Sequence, residues 1–250
     1  MQIIYAALRV FSVAGALVAA MPATVSAQSL TPEQTRQVED VVRRIIKEQP
    51  RLILDALQDM RRQEEAEAQS KAAAALKQKR DEIARDPGAP VAGNPDGDVV
   101  VVEFFDYRCP YCKQVAERVI ETAKKDGKVK VVFKEFPILG PESVFASRAA
   151  LAAQRQGKYV EYHVALMRLK EKLTDELTLR VAQSVGLDVE RLKKDMASPE
   201  ISRYLEKNTD LAEELNIRGT PAFIVGDKLV PGAIDVPTLE KLIAEARKGG

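Results

Sequence analysis

Cys109 and Cys112 are the only cysteines in a chain of 250 residues, and they stand three apart in FFDYRCPYCKQV, residues 104–115. Three kinds of chemistry suit such a pair: a structural bridge, half of a metal site, or reversible sulfur exchange. A bridge across so short a loop removes little freedom from the unfolded chain. Structural zinc wants four ligands, and the chain adds only one histidine, His163, far off in sequence. Exchange is favoured by position. Cys109 follows an apolar run and precedes Pro110, a residue suited to the first position of a helix, so Cys109 can be the N-cap with Cys112 one turn in. The free N–H groups of that first turn and the helix dipole then favour a thiolate at Cys109. Cys109 attacks a substrate sulfur, and Cys112, shielded behind it, resolves the mixed disulfide. Tyr111, between Pro110 and Cys112, brings an aromatic face but no imidazolium, so a moderately oxidising disulfide is expected.

A second stretch, NIRGTPAFIVG, residues 216–226, places Gly219, Thr220 and Pro221 directly before an apolar strand. It reads either as an ordinary turn or as a cis Thr220–Pro221 bond that brings the Thr220 backbone beside Cys109, ready to pair with an extended substrate. Around the cysteines, Arg108 has an electrostatic route to the thiolate, and Asp106 and Tyr107 can shape the client surface. Phe136, Pro137 and Leu139 line a groove or form a plain strand-end turn. His163, in EYHVALM, sits in a helical pattern and reads as a packed structural residue. The pairs Lys124-Lys125 and Lys193-Lys194 read as solvated faces.

The elements that must hold these residues alternate along the chain. Asp98–Phe105 has the continuous apolar character of a central strand, residues 110–124 read as a helix, and Lys128–Phe136 as a second strand. Helical patterns follow over about 142–156, 160–169, 175–184, 188–196 and 199–215. Strands return at 221–225 and 229–230, and 237–247 closes with a helix. The order β-α-β, several helices, then β-β-α describes an α/β fold: a small open sheet covered by helices, with an all-helical insertion at about 141–215. Residues 87–97, PGAPVAGNPDG, read as linker and turn.

Ahead of that body the sequence changes character. Residues 1–27 hold one charge, Arg9, an apolar core and a small-residue Val25-Ser26-Ala27 end, the pattern of a secretory signal peptide. Residues 28–90 read as a helical stalk and linker. Thr31 is an N-cap candidate, Val38, Val41, Val42, Ile45 and Ile46 recur at helical spacing, and Pro50 interrupts or kinks the helix. A continuous helix over 33–83 would reach roughly 75 Å. An exposed apolar stripe either docks on the body, meets copies of itself or lies on a membrane surface; self-association is the expectation, with a coiled coil as one version because the heptad does not persist through Pro50. The 38 basic residues, one of them Arg9, balance 37 acidic ones, which gives no field to draw a nucleic acid.

Residues 103–112, EFFDYRCPYC, together with Gly219-Thr220-Pro221-Ala222-Phe223, resemble the DsbA-like branch of thiol-disulfide oxidoreductases on the thioredoxin fold, over about residues 95–248. With its helical extension the chain is also similar to the ScsC and Com1-like exported proteins. The resemblance implies a catalytic domain over 91–250, with Cys109 as nucleophile, Cys112 as resolving cysteine and Pro221 as a cis proline facing them. It also implies that Glu103 is a buried acid moving protons around the resolving thiol, with Lys134 as its charged neighbour. Pro110, Tyr111, Arg108, Gly219 and Phe136 would line the substrate groove. No metal or cofactor is implied. Tyr111 and Thr220 stand where the strongly oxidising archetype has histidine and valine, and they look more like disulfide isomerases and reductases. The expected function is therefore a periplasmic disulfide isomerase or reductase. It would act on unfolded or misoxidised exported clients, be recharged by a membrane redox partner and be assembled through the stalk, with a trimer favoured. A dithiol oxidase is the alternative, and a copper-handling protein using the thiols as ligands is a third reading.

Overall fold

The computed structural model describes residues 30–249, so the signal-peptide reading of residues 1–27 lies outside the described residues. The chain divides into two compact units, one ending at Asp59 and one from Met60 on.

In the first unit, α1 (Pro32–Glu48) opens with a reciprocal cap: the Gln34 amide donates to Thr31 Oγ1 and the Thr31 amide to Gln34 Oε1. This satisfies two of the orphan donors of the first turn. Val38, Val41, Val42, Ile45 and Ile46 are exposed and α1 buries no residue. The helix ends before Pro50, and α2 (Arg51–Gln78) starts just after it, so the stretch is two helices and not one. A third, short helix, α3 (Arg80–Ala84), follows in the second unit.

The second unit is built on a five-stranded sheet in the order β1-β3-β2-β4-β5. At its centre β2 (Val99–Phe105) and β3 (Val129–Glu135) run parallel, joined by the crossover helix α4 (Pro110–Asp126). Both strands are β-branched and aromatic and are buried on both faces, as parallel strands covered by helices must be. Five helices intervene: α5 (Pro141–Gln154), α6 (Tyr159–Met167), α7 (Asp175–Ser184), α8 (Val189–Met196) and α9 (Pro199–Glu214). Thr174, Asp188 and Ser198 cap the last three, each accepting from a first-turn amide. The chain then returns through β4 (Ala222–Val225), antiparallel to β2, β5 (Lys228–Pro231) at the edge, and α10 (Val236–Gly249). This is a thioredoxin-like α/β core with a helical insertion, preceded by N-terminal helices.

Side chains alternate across the sheet, so each strand feeds two cores. Val101, Phe105, Val131, Phe133 and Phe223 face α4, α10 and the insertion. Val102, Phe104, Val132 and Ile224 face the other way, against Leu76 of α2, Ile83 of α3 and Leu211 of α9. The segment from Ala72 to Ala89, expected as stalk and linker, thus contributes Ala72, Leu76, Ile83 and Ala89 to the buried interior of the second unit.

One strand was not expected. Val91–Gly93 forms β1, antiparallel to β3, where the sequence reads as linker. Three residues that follow a proline and end in a glycine carry too little alternation to announce a strand; its pairing with Lys130–Val132 makes it one. Gly93 ends it at φ +74°, and a Cβ there would stand 2.4 Å from the Val129 carbonyl oxygen.

Candidate active site

Cys109 is the N-cap of α4, in extended backbone conformation, with Pro110 as the first helical residue. Only 4% of Cys109 is exposed and none of Cys112, so the first sulfur is more covered than expected, though still the outer of the two. Both are free thiols. The reason for the covering lies in the loop before β4. The Thr220–Pro221 bond is cis, and the Cys109 thiol donates to the Thr220 carbonyl oxygen at 3.2 Å. The Cys109 side chain makes no cap hydrogen bond to the first turn in this state; the turn's amides stay available to a sulfur that has lost its proton and can no longer donate to Thr220.

Behind this pair lies Glu103. It sits in β2 on the face shared with Val101 and Phe105, wholly buried, and neither carboxyl oxygen has a hydrogen-bond partner. Burial pushes its pKa up to about 8. Burial also drives the Cys112 thiol far above its ordinary range; the negative charges of Glu103 and Cys109 add to this, against a backbone contact from Asp106. A buried acid that keeps its proton near neutrality thus stands close enough to feel a reluctant thiol.

Lys134 is not its partner. In the parallel register Glu103 pairs with Phe133, while Lys134 pairs with Phe104 and points to the opposite face. There its ammonium meets Asp86 at 2.5 Å, wholly buried, with the Tyr204 hydroxyl on the same carboxylate oxygen at 3.1 Å. Burial alone would raise the Asp86 carboxyl, but the Lys134 hydrogen bond and charge hold it below the usual carboxylate range. Lys134 therefore ties the end of the N-terminal segment to the sheet. Phe136 is likewise not a groove residue: it is 5% exposed and packs edge-on to Phe104 with ring centroids 6.3 Å apart.

The loop carrying the cysteines is clamped to the β3–α5 turn. Asp106, wholly buried, accepts from the Arg108 amide at 2.7 Å, the Leu139 amide at 2.9 Å and the Ser143 hydroxyl at 2.7 Å. The Arg108 guanidinium binds the Leu139 carbonyl and, at 3.0 Å, Glu142. Gly140, at φ +123°, lets it in, since a Cβ there would lie 2.6 Å from Arg108 Nη1. Arg108 thus spends its charge on this turn, and Asp106 is a loop organiser instead of a client-facing residue. Pro110, Tyr111 and Gly219 are exposed, Tyr111 at 59%, and with Ile138, Leu139 and Val144 they leave an apolar rim open to solvent.

Sequence reasoning missed Glu135. It stands on the apolar face of β3 after Val129, Val131 and Phe133, the same break in alternation that marks Glu103, and that parity was the available signal. Its Oε1 accepts from Tyr107 at 3.1 Å and Tyr159 at 2.7 Å, and burial lifts its pKa to about 8 against the pull of the Ser147, Tyr159 and Tyr107 hydroxyls. His163 lies 3.2 Å from the Tyr107 hydroxyl through Nδ1, packed among Phe105, Phe133 and Tyr159 and held neutral by burial, its pKa lowered to about 3. It is a packed residue, as expected. Tyr107→Phe is expected to cost about 1–3 kcal/mol by leaving the buried His163 Nδ1 without its partner and Glu135 Oε1 with Tyr159 alone, read as a lower midpoint in urea unfolding.

A thioredoxin-like sheet presenting a Cys-x-x-Cys pair at a helix N-terminus opposite a cis proline defines a thiol-disulfide oxidoreductase. Residues 100–244 match the DSBA-like thioredoxin domain, and the chain belongs to that family. A thioredoxin-like oxidoreductase from Silicibacter pomeroyi is 47% identical and superposes with a TM-score of 0.67, covering 68% of this chain and 99% of that one. A linker-deleted, single-substitution variant of Proteus mirabilis ScsC is 26% identical with a TM-score of 0.67, covering 90% of this chain and all of the other, 100%. The probable disulfide bond formation protein D of Bacillus anthracis is 31% identical over 169 residues, 62% of this chain and 77% of that protein. The chain also matches a sodium/proton antiporter of Salinispora tropica at 29% identity over 158 residues, 62% of this chain, but spans only 24% of that protein's length.

Proposed function

We propose that this protein is an exported, periplasmic disulfide isomerase and reductase that works through Cys109 and Cys112. The observation that carries this is the asymmetry of the two sulfurs: Cys109 at the helix N-cap against the Thr220 carbonyl, Cys112 fully covered behind it with its proton held tightly.

Cys109, as thiolate, attacks one sulfur of a client disulfide. A Cys109–client bond forms, the client disulfide breaks, and the displaced client thiolate is free to attack another client sulfur. If that rearrangement ends with attack on the mixed disulfide, Cys109 leaves as it entered and no electrons are transferred: this is isomerisation. If Cys112 gives up its proton and attacks Cys109 first, the client leaves reduced and the enzyme pair is oxidised by two electrons, to be restored by a dithiol of a membrane redox partner. A resolving thiol that parts with its proton slowly prolongs the mixed disulfide and favours the first outcome. Glu103, when ionised, is the acceptor for that proton. The catalytic chemistry is assigned to residues 91–250, whose buried interior is completed by Ala72, Leu76, Ile83 and Ala89, and the exposed face of α1 to self-association, with a trimer favoured, so that several sites share one client.

The relatives named for disulfide bond formation favour a second reading, a dithiol oxidase that donates its disulfide. Trapping thiols with acid in cells separates the two: a resting pair that is mostly reduced supports the isomerase, and one mostly oxidised supports the oxidase. With Tyr111 in place of an imidazolium, the redox potential against glutathione is expected to be well below about −120 mV; a value at or above that would remove Tyr111 from the explanation.

A further inference from the structure

On the far side of the cis-proline loop from Cys109 lies a cleft of about 970 Å³, at the upper end of the roughly 300–1,000 Å³ of ordinary ligand sites. One wall is α2, through Ala73 and Leu76; the other is the loop Leu215–Ala222 and the edge strand β5. Its floor is apolar, with Leu76, Leu215 and Ile217 buried there. Thr220 and Pro221 belong to both places: they line the cleft, and the Thr220 carbonyl touches the Cys109 sulfur. A chain bonded to Cys109 that crosses this loop therefore arrives in the cleft.

Two further features fit such an occupant. In the β4–β5 register Val225 pairs with Lys228 and Phe223 with Val230. Alternation in an antiparallel pair turns the Leu229 N–H and C=O outward, to the open edge of the sheet, and Leu229 lines the cleft. An extended peptide could add there as a strand. Lys77, Arg80 and Arg218 stand around the cleft against one acid, Asp227; Lys77 and Arg80 are exposed.

We propose that this cleft receives an extended apolar segment of the client polypeptide, acidic at its flank, that adjoins the cysteine bonded to Cys109. The proposal rests on the oxidoreductase reading above and names what that site recognises beyond sulfur. The N-terminal segment, through α2, then serves as part of the client-binding surface.

The test uses the full mature chain and two probes: oxidised glutathione, which is too small to cross the loop, and a longer synthetic peptide disulfide carrying leucines, valines and an aspartate beside its cysteine. Ala73→Trp, at an exposed position, fills the cleft. Lys77→Glu with Arg80→Glu reverses its rim charge without adding bulk. In both variants kcat/KM for the peptide is expected to fall about tenfold relative to that for glutathione, a loss of about 1.4 kcal/mol of recognition, and the charge-reversed form should prefer a lysine-flanked peptide. An unchanged ratio of the two rates in both variants would overturn the cleft while leaving the oxidoreductase intact. A wild-type protein that exchanges with neither probe would instead overturn the oxidoreductase reading, and the cleft with it.

Discussion

Glu103→Gln is expected to make the protein more stable at neutral pH and slower at releasing a client by reduction. The Glu103 carboxyl titrates near 8 in the folded protein, against 4.5 for an ordinary glutamate. A folded-state pKa raised in this way favours folding fully below pH 4.5, and the benefit is lost as pH rises to about 8. In that window the unfolded chain has released a proton that the folded chain still holds, so stability falls by about 1.4 kcal/mol per pH unit. At pH 7 the accumulated penalty is about 3 kcal/mol. Glutamine carries no such penalty, and because neither Glu103 oxygen has a hydrogen-bond partner, the amide forfeits no bond that the acid had. Urea unfolding at pH 4 and pH 7 should show the variant equal to the parent at the lower pH and about 3 kcal/mol more stable at the higher. Glu135 leaves a residual slope of the same sign in both. The functional effect has the opposite sense. Resolution by Cys112 should accelerate from pH 6 to 8 in the parent as Glu103 ionises, and lose that rise in Glu103→Gln. An identical pH profile in the two proteins would exclude Glu103 as the proton acceptor.

Removing the chain up to Asp59 is expected to cut reactivation of a scrambled, misoxidised substrate by on the order of tenfold or more, while reduction of a small disulfide persists. Isomerisation needs the displaced client thiol to be held near a second sulfur, and linked sites raise that local concentration; simple reduction does not. The apolar face of α1, Val38 to Ile46, is the surface available for linking, and the solution mass should fall to that of a monomer when it is removed. The cut must not be made near residue 90. Leu76, Ile83 and Ala89 lie in the buried interior, and losing Asp86 would strand the wholly buried Lys134 ammonium without its partner, a change of about 3–5 kcal/mol. Equal reactivation by the full chain and the form starting at Met60 would take the α1 surface out of the mechanism.

Much of this was legible in the sequence because the signals are local. Helical patterns over 175–184, 188–196 and 199–215 match α7, α8 and α9 within a residue at each start, Pro110 and Cys109 announce the helix that carries the chemistry, and the resemblance of residues 103–112 to the DsbA-like motif points to Glu103. What could not be read depends on partners distant in the chain. The resemblance implies Lys134 as the charged neighbour of Glu103, but only the register shows that they face opposite sides of the sheet. Phe136 follows a strand that ends at Glu135, and whether it turns to the groove or to the core is decided by Phe104 and Leu215. The Asp106 clamp joins residues more than thirty positions apart, and β1 exists only because β3 offers it an edge. Glu135 lies outside the motif that carries the resemblance, and only its place on the apolar side of β3, with Val129, Val131 and Phe133, could have marked it.

The most direct test is to trap the intermediate. With Cys112→Ser in place, a single-cysteine client peptide presented as a mixed disulfide with a good leaving thiol should accumulate as a stable covalent adduct, and peptide mapping should place the bond on Cys109. With Cys109→Ser instead, the covered Cys112 sulfur should give little or no adduct. Adduct formation through Cys112 at a rate matching Cys109, or client exchange that survives Cys109→Ser, would contradict Cys109 as the attacking sulfur.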